Sequence, residues 1–327
     1  MAFYKNIASF IRAFYSWVIY GVSACIPKNP ALWVFVGWRS NGVREIFAEN
    51  PKYLFLYVHH NQTLLKPVWI GKDRHVCKIL NQYGYRAYPQ SSIRGIYYSL
   101  RASHTFIGAL MPLKNWRLSG GSKVIQLWHG KSVKKTGKNT PYSKGRYNSL
   151  LNPHLTARPY KFIGISKFLA QFITSDFNLP ESRILITGAP KYDALIEPAE
   201  GYAIDVDESF EAAIKMVENM HAEKIILYGP TFRPDGSNPL ELIDLPSLNK
   251  VLQELNYHVL VTMHSKFGKK DWTLSTELTN IHFIQSSGDI YPLLNKIDAL
   301  ITDYSSLSTD FVFMGKPVIF YVPDFKK

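Results

Sequence analysis

The feature that most constrains this chain is a recurrence: short apolar runs, rich in β-branched and aromatic residues, each broken off by a polar cluster. A first series runs through 31–37 (ALWVFVG), 52–58 (KYLFLYV), 105–110, 123–128 (KVIQLW), 160–166 (YKFIGIS) and 183–187 (RILIT). A second runs through 224–228 (KIILY), 257–263 (YHVLVTM), 281–285, 297–302 (IDALIT) and 317–321 (PVIFY). Runs this short and this uniformly apolar read as strands covered on both faces. Helical segments at 76–83, 247–256 and up to Met314 fall between them, and 85–88 reads as a return strand. Such alternation builds an α/β fold with mostly parallel sheets. A chain of 327 residues holds two domains of this kind. The stretch 197–207 (EPAEGYAIDVD) reads as the linker between them.

Composition narrows the partners. Hydrophobic residues at 46% and charged residues at 19% describe a globular chain, and a mean hydropathy of −0.10 excludes a polytopic membrane protein. The net charge of +13 calls for an acidic partner: nucleic acid, anionic lipid or a phosphate-rich substrate. Lys131, Lys134, Lys135, Lys138, Lys144, Arg146 and Arg158 concentrate in 131–159, read as an exposed basic loop or a loose helix pair. No helix-turn-helix, RNA-recognition signature or zinc-finger spacing accompanies the charge, so nucleic acid is not the expected partner. Cys25 and Cys77 form no CxxC or His/Cys cluster, which argues against a zinc site or a disulfide framework and suits a reducing compartment. Residues 7–26 are mostly apolar but interrupted by Arg12, flanked by Lys5 and Lys28, and carry Tyr15, Trp17 and Tyr20. That pattern reads as a helix lying on an anionic leaflet rather than crossing it. A core-packed first helix is the plainer alternative.

In open α/β sheets ligands bind beyond the carboxyl ends of the strands. The residues following each predicted strand are His129-Gly130-Lys131, Gly188-Ala189-Pro190-Lys191, Gly229-Pro230-Thr231-Phe232-Arg233, His264-Ser265-Lys266 and Asp303-Tyr304-Ser305-Ser306. Histidines, an arginine, lysines and hydroxyls suit a phosphate ester. No GxGxxG follows the first strand, so a hydride-transfer cofactor is not expected. Ser305 or Ser306 stands at a predicted helix start, where free backbone N–H groups hold a pyrophosphate without a metal. The competing reading is that Asp303 and the serines only cap that helix. Gly315 and Pro317 terminate it. His129 can take a proton from an attacking hydroxyl. Arg233 can hold a phosphate bidentately, with an ordinary surface ion pair as its bland counterpart.

At these positions the chain resembles the CDP-glycerol glycerophosphotransferase family, which includes the teichoic acid primases and polymerases. The matching pieces are Gln126-Leu127-Trp128-His129-Gly130, Lys134-Lys135-Thr136-Gly137, Gly188-Ala189-Pro190-Lys191-Tyr192-Asp193, Pro230-Thr231-Phe232-Arg233, Met263-His264, Ile301-Thr302-Asp303-Tyr304-Ser305-Ser306 with Asp310-Phe311, and Lys316-Pro317-Val318-Ile319-Phe320-Tyr321. They match in order and spacing over roughly residues 120–325.

The resemblance implies a GT-B fold, two Rossmann-like domains with a cleft between them. Residues 1–30 would be the interfacial helix, 31–200 the acceptor domain and 201–327 the CDP-donor domain. It implies a CDP-glycerol or CDP-ribitol donor, CMP as leaving product, and a lipid-linked or polymeric acceptor at the cytoplasmic face of the membrane. No cofactor or metal is called for. His129 matches the family's catalytic base, His264 its second essential histidine near the donor phosphates, and Ser305 and Ser306 its phosphate-binding serines. Thr231, Arg233 and Asp303 lie in matching motifs as donor-binding residues. The family usually shows a proline-containing sequence around the second histidine, where this chain has Met263-His264-Ser265. The family also continues past position 327 with helices that help close the donor site, so 201–327 is expected to lack them. Two other functions fit the same architecture: a glycosyltransferase using a sugar nucleotide, and a non-catalytic truncated remnant.

Overall fold

The computed structural model describes residues 2–37, 45–109, 116–129, 159–198, 200–204, 208–231, 233, 239–263, 278–285 and 288–323. The chain divides into two compact units, Met1–Ala194 with Pro198–Tyr202, and Leu195–Glu197 with Ala203–Lys327.

In chain order the first unit contains α1 (Ala2–Cys25), β1 (Asn29–Val36), α2 (Glu49–Asn61), β2 (Lys66–Gly71), α3 (Arg74–Gln82), β3 (Ala87–Pro89), α4 (Ile93–Arg101), β4 (Ala102–Ile107), β5 (Lys123–Gln126), β6 (Lys161–Gly164), α5 (Lys167–Phe177), β7 (Ile184–Ile186) and the start of α6 (Pro190–Ile196). Its strands form one sheet in the order β3-β2-β1-β4-β5-β6-β7, parallel at every pairing. The order reverses between β1 and β4, as in doubly wound sheets. Phe35 and Phe106 stack across that junction with ring centroids 4.8 Å apart. Helix entries follow side-chain chemistry: Asp73 accepts from the His75 N–H, Ser92 from Gly95 and Ser166 from Leu169.

The run 52–58, expected as a strand, is instead the body of α2. Parallel neighbours need a crossover of a dozen or more residues, usually helical, and α2 is that crossover between β1 and β2. Asn50, Pro51, Lys52, Tyr53, Phe55, Leu56 and Val58 are all buried, so the apolar run reflects a helix covered on several sides. Its partner strand β2 (KPVWIG) and helix α4 were not foreseen. The 123–128 strand stops at Gln126, which leaves Leu127, Trp128 and His129 as a strand-exit turn. The basic stretch 131–159 lies, apart from Pro159, outside the described residues.

Helix α1 rests on the turn after β4. Trp17 and Tyr20 meet Trp116 at 4.8 and 5.5 Å between ring centroids. A Cβ at Gly120 would fall 2.2 Å from the Tyr20 carbonyl oxygen, so only glycine permits this approach. Lys28 Nζ donates to the Ser23 and Leu100 carbonyls at 2.9 and 2.6 Å, tying the end of α1 to α4. Ile11, Phe14, Tyr15, Val18 and Val22 remain exposed along the other face. Among the described residues no helix is long and apolar enough to cross a membrane.

The second unit contains α7 (Glu208–Glu218), β8 (Lys224–Gly229), α8 (Leu245–Leu255), β9 (Tyr257–Met263), β10 (Ile281–Gln285), α9 (Tyr291–Leu294), β11 (Ala299–Thr302), α10 (Leu307–Phe313) and β12 (Val318–Phe320). Its sheet order is β10-β9-β8-β11-β12, again all parallel, and the order reverses between β8 and β11. Thr302 Oγ1 donates to the Gly229 carbonyl at 2.6 Å and binds the two central strand ends together. Gly315 at φ +69° ends α10: its N–H reaches the Val312 carbonyl at 3.0 Å and that of Lys316 the Phe311 carbonyl at 3.1 Å.

Candidate functional site

The expected site residues that are described fall at the carboxyl ends of strands in both units. In the first unit His129 ends the turn after β5. Trp128 before it sits at φ +53°, a conformation costing a non-glycine residue roughly 1–2 kcal/mol. Packing and hydrogen bonds hold it there. Its ring lies against Phe177 and Phe162, with centroids at 5.0 and 5.8 Å, and its N–H donates to Gln126 Oε1 at 3.0 Å. Asn50 Nδ2 donates to the carbonyls of Leu127 and Trp128 at 3.0 and 2.9 Å.

The His129 ring bonds through Nδ1 to the Gly108 carbonyl at 3.1 Å. A carbonyl only accepts, so Nδ1 carries the proton and the neutral ring keeps its lone pair on Nε2, the atom a general base needs. The residue reaches solvent, yet the surrounding protein is dense enough that desolvation lowers its pKa below the usual 6.5. The Gly108 bond opposes that shift and the Lys191 ammonium adds to it. The ring is therefore neutral, and able to accept a proton, at neutral pH.

Asn50, Lys191 and Glu49 belong to this arrangement although sequence reasoning did not single out the first and last. Lys191, 3% exposed, donates through Nζ to the His129 carbonyl at 3.2 Å and pairs with Glu49 at 3.3 Å. Its backbone N–H donates to Asn50 Oδ1 at 3.2 Å. The signal that could have found Asn50 was Asn50-Pro51, since proline in a first turn marks a helix start.

In the second unit the loops after β8 and β11 meet at the reversal of strand order. Asp303 accepts from the Thr231 N–H at 2.9 and 3.1 Å and from the Tyr304 N–H at 2.5 Å. Arg233 Nη1 lies 2.7 Å from Asp303 Oδ2 and 2.7 Å from the Thr231 carbonyl, and its guanidinium sits over the Tyr304 ring at 5.4 Å. Arg233 and Asp303 are buried, so Arg233 is no ordinary surface ion pair. The Thr231 hydroxyl is buried without a hydrogen-bond partner among the described residues. Ser305 Oγ accepts from the Leu307 N–H at 3.3 Å, and Ser306 is the exposed residue at the α10 N-cap, with no side-chain cap of its own.

Thr231, Arg233 and Asp303 are thus brought together, with Ser305 and Ser306 next along the chain. His129 is described within the first unit. His264 lies outside the described residues. His258 and His282 bond at 2.8 Å near the amino ends of β9 and β10, the opposite edge of that sheet from Asp303. No group of three His, Cys, Asp or Glu among the described residues could hold a metal ion.

Two Rossmann-like units with polar strand ends define the GT-B class of fold. The structure of the wall teichoic acid polymerase TagF shares that fold, at 22% identity and a TM-score of 0.69, over 98% of this chain and 80% of that one. A His-to-Asn variant of TagF soaked with CDPG aligns equally well, at 22% identity and a TM-score of 0.70 over the same shares of both chains. The chain belongs to the CDP-glycerol:poly(glycerophosphate) glycerophosphotransferase family, whose model matches residues 19–327. It is 29% identical over 233 residues to the teichoic acid ribitol-phosphate polymerase TarK of Staphylococcus aureus, covering 68% of this chain and 44% of that one. It is 27% identical over 307 residues to the teichoic acid poly(glycerol phosphate) polymerase of Staphylococcus epidermidis, covering 86% of this chain and 39% of that one. The chain thus spans well under half the length of these two curated relatives. A teichoic acid glycerol-phosphate transferase of Staphylococcus aureus is 26% identical over 86% of this chain and 72% of its own.

Proposed function

We propose that this protein transfers a polyol phosphate from a CDP-linked donor, CDP-glycerol or CDP-ribitol, to a hydroxyl of a lipid-linked or polymeric acceptor. The observation that carries this reading is His129, whose Nδ1–H is committed to the Gly108 carbonyl so that Nε2 is the basic atom. Family membership and the CDPG-soaked TagF variant support the donor. Relatives named for glycerol phosphate and for ribitol phosphate leave either polyol admissible.

The acceptor hydroxyl attacks the β-phosphorus in line. As the new O–P bond forms, the hydroxyl proton passes to His129 Nε2, and the bridging P–O bond breaks with its electrons leaving on CMP. Thr231, Arg233, Ser305 and Ser306 bind the donor phosphates, and Asp303 acts by holding Arg233 and the Thr231 backbone in place. His264 takes its place near the donor phosphates from the family motif. Positioning and fixed charge supply most of the acceleration, as in phosphoryl transfer generally. Residues 31–200 serve as the acceptor domain and 201–327 as the donor domain.

The outward stripe of Ile11, Phe14, Tyr15, Val18 and Val22 on α1 suits a peripheral seat on the anionic cytoplasmic face of the membrane. The net charge of +13 supports the same placement.

Incubating the protein with CDP-glycerol and with CDP-ribitol, each with membranes supplying the acceptor, and measuring CMP tests this reading. Release with one donor that disappears in His129→Ala is the expected result. No release with either, or full release from the His129→Ala protein, overturns it.

A further inference from the structure

Three segments distant in sequence meet at the backbone that carries His129: the start of α2, the turn leaving β5 and the start of α6. One side-chain amide joins all three. Asn50 Nδ2 donates to the carbonyls of Leu127 and Trp128, and its Oδ1 accepts the Lys191 N–H. Lys191 Nζ then returns to the turn, on the carbonyl of His129 itself. Asn50 and Lys191 are 2% and 3% exposed. Gly108, which supplies the Nδ1 acceptor, packs against the same helix start: a Cβ there would lie 2.9 Å from Pro51 Cγ. Burying an amide and an ammonium is costly unless each is matched, and here they bond to the segment carrying the base.

We propose that Asn50 and Lys191 are positioning residues for His129, Asn50 fixing the left-handed turn that aims the ring and Lys191 placing a positive charge near it. The proposal rests on the reading of His129 as the general base. Among the described residues, the charged groups and histidines on the elements bearing on this turn are Lys191 and Asp193 on α6, Glu49, the buried Lys52, His59 and His60 on α2, and Lys167 and Asp176 on α5. Of these, Lys191 is the one whose charge lowers the pKa of the ring. A cation there disfavours imidazolium, so it keeps the ring in its proton-accepting form to lower pH. Glu49, paired with Lys191 at 3.3 Å, tempers that charge.

The test follows the His129 titration by NMR in the full chain with ring-labelled histidine, the signal being identified by its loss in His129→Ala. The pH profile of CMP release from CDP-glycerol is measured alongside it. Lys191→Met should raise the His129 midpoint by about half a unit to one unit and move the acid limb of kcat/KM up with it. Lys191→Arg should restore both. Glu49→Gln, at a partly exposed position, should move the midpoint the opposite way, and it decides the matter if Lys191→Met does not fold. Asn50→Ala should lower kcat roughly ten- to a hundredfold at every pH, with the donor KM within about twofold.

Unmoved midpoints in the folded Lys191 and Glu49 variants overturn the electrostatic part, and an unchanged kcat in Asn50→Ala overturns the geometric part. Undiminished turnover in His129→Ala would instead remove the base assignment beneath both, a result distinguishable from either.

Discussion

The strand ends of the two units share an architecture and use it differently. In the first, the turn after β5 presents one titratable ring, held by a neutral amide, a carbonyl and a buried lysine. In the second, the loops after β8 and β11 spend their charges on each other, Arg233 against Asp303 at 2.7 Å. The first arrangement leaves a group whose protonation state can change. The second leaves a rigid frame of hydroxyls and backbone around a fixed ion pair. Under the proposed function, the same edge of a parallel sheet would serve proton transfer where a neutral ring is left to titrate, and donor binding where an arginine and a carboxylate are matched internally.

The strongest way to break this contrast is at His129. His129→Ala should reduce CMP release roughly a thousandfold, while calorimetric CDP-glycerol affinity stays within a few-fold. A comparable loss of affinity would mean the ring binds donor rather than moving a proton. Next comes Asp303→Ala, which strands a buried guanidinium. It should cost about 3–5 kcal/mol in urea unfolding and weaken donor binding. A cost below about 1 kcal/mol would show that the second unit's frame does not depend on the pair.

A third test compares buried carboxylates. Glu45 is fully buried in the first unit and held by the Lys72 and Asp73 N–H groups at 2.6 and 2.7 Å. Burial pushes its pKa up from 4.5 to about 7. Between those values the folded protein binds more protons than the unfolded chain, so this group's contribution to stability falls as pH rises from 4.5 to 7 and is level above. The fall should be about 3 kcal/mol, and Glu45→Gln should flatten that segment of the stability-pH curve. The smallest effects are at Gly188 (φ +78°), just after β7, and Gly315 (φ +69°), at the end of α10, each in open space. Alanine at either should cost about 1 kcal/mol from backbone strain alone, read as a shift of a few degrees in Tm. A larger loss of turnover in Gly188→Ala than in Gly315→Ala would tie the turn before Lys191 to the base.

Much of the site was legible because strand ends are local. A run of apolar residues stopping at His129, Thr231 or Asp303 marks a carboxyl edge before any fold is known. The helix α2 was not, because its residues are buried on several sides and it is entered at Ala48 without a side-chain cap. With α2 read as a strand, Asn50 had no reason to reach a turn 77 residues away.

By itself the sequence determined the repeating strand-helix alternation, the division into two sheets and the chemistry waiting at their edges, since periodicity and composition act over a few residues. Tertiary structure decided which nitrogen of His129 carries the proton, that Arg233 is neutralised by Asp303, and that Asn50 and Lys191 hold the backbone of the turn carrying His129. Those outcomes depend on burial and on contacts between distant segments. Only a packed interior makes an amide or an ammonium choose a single set of partners.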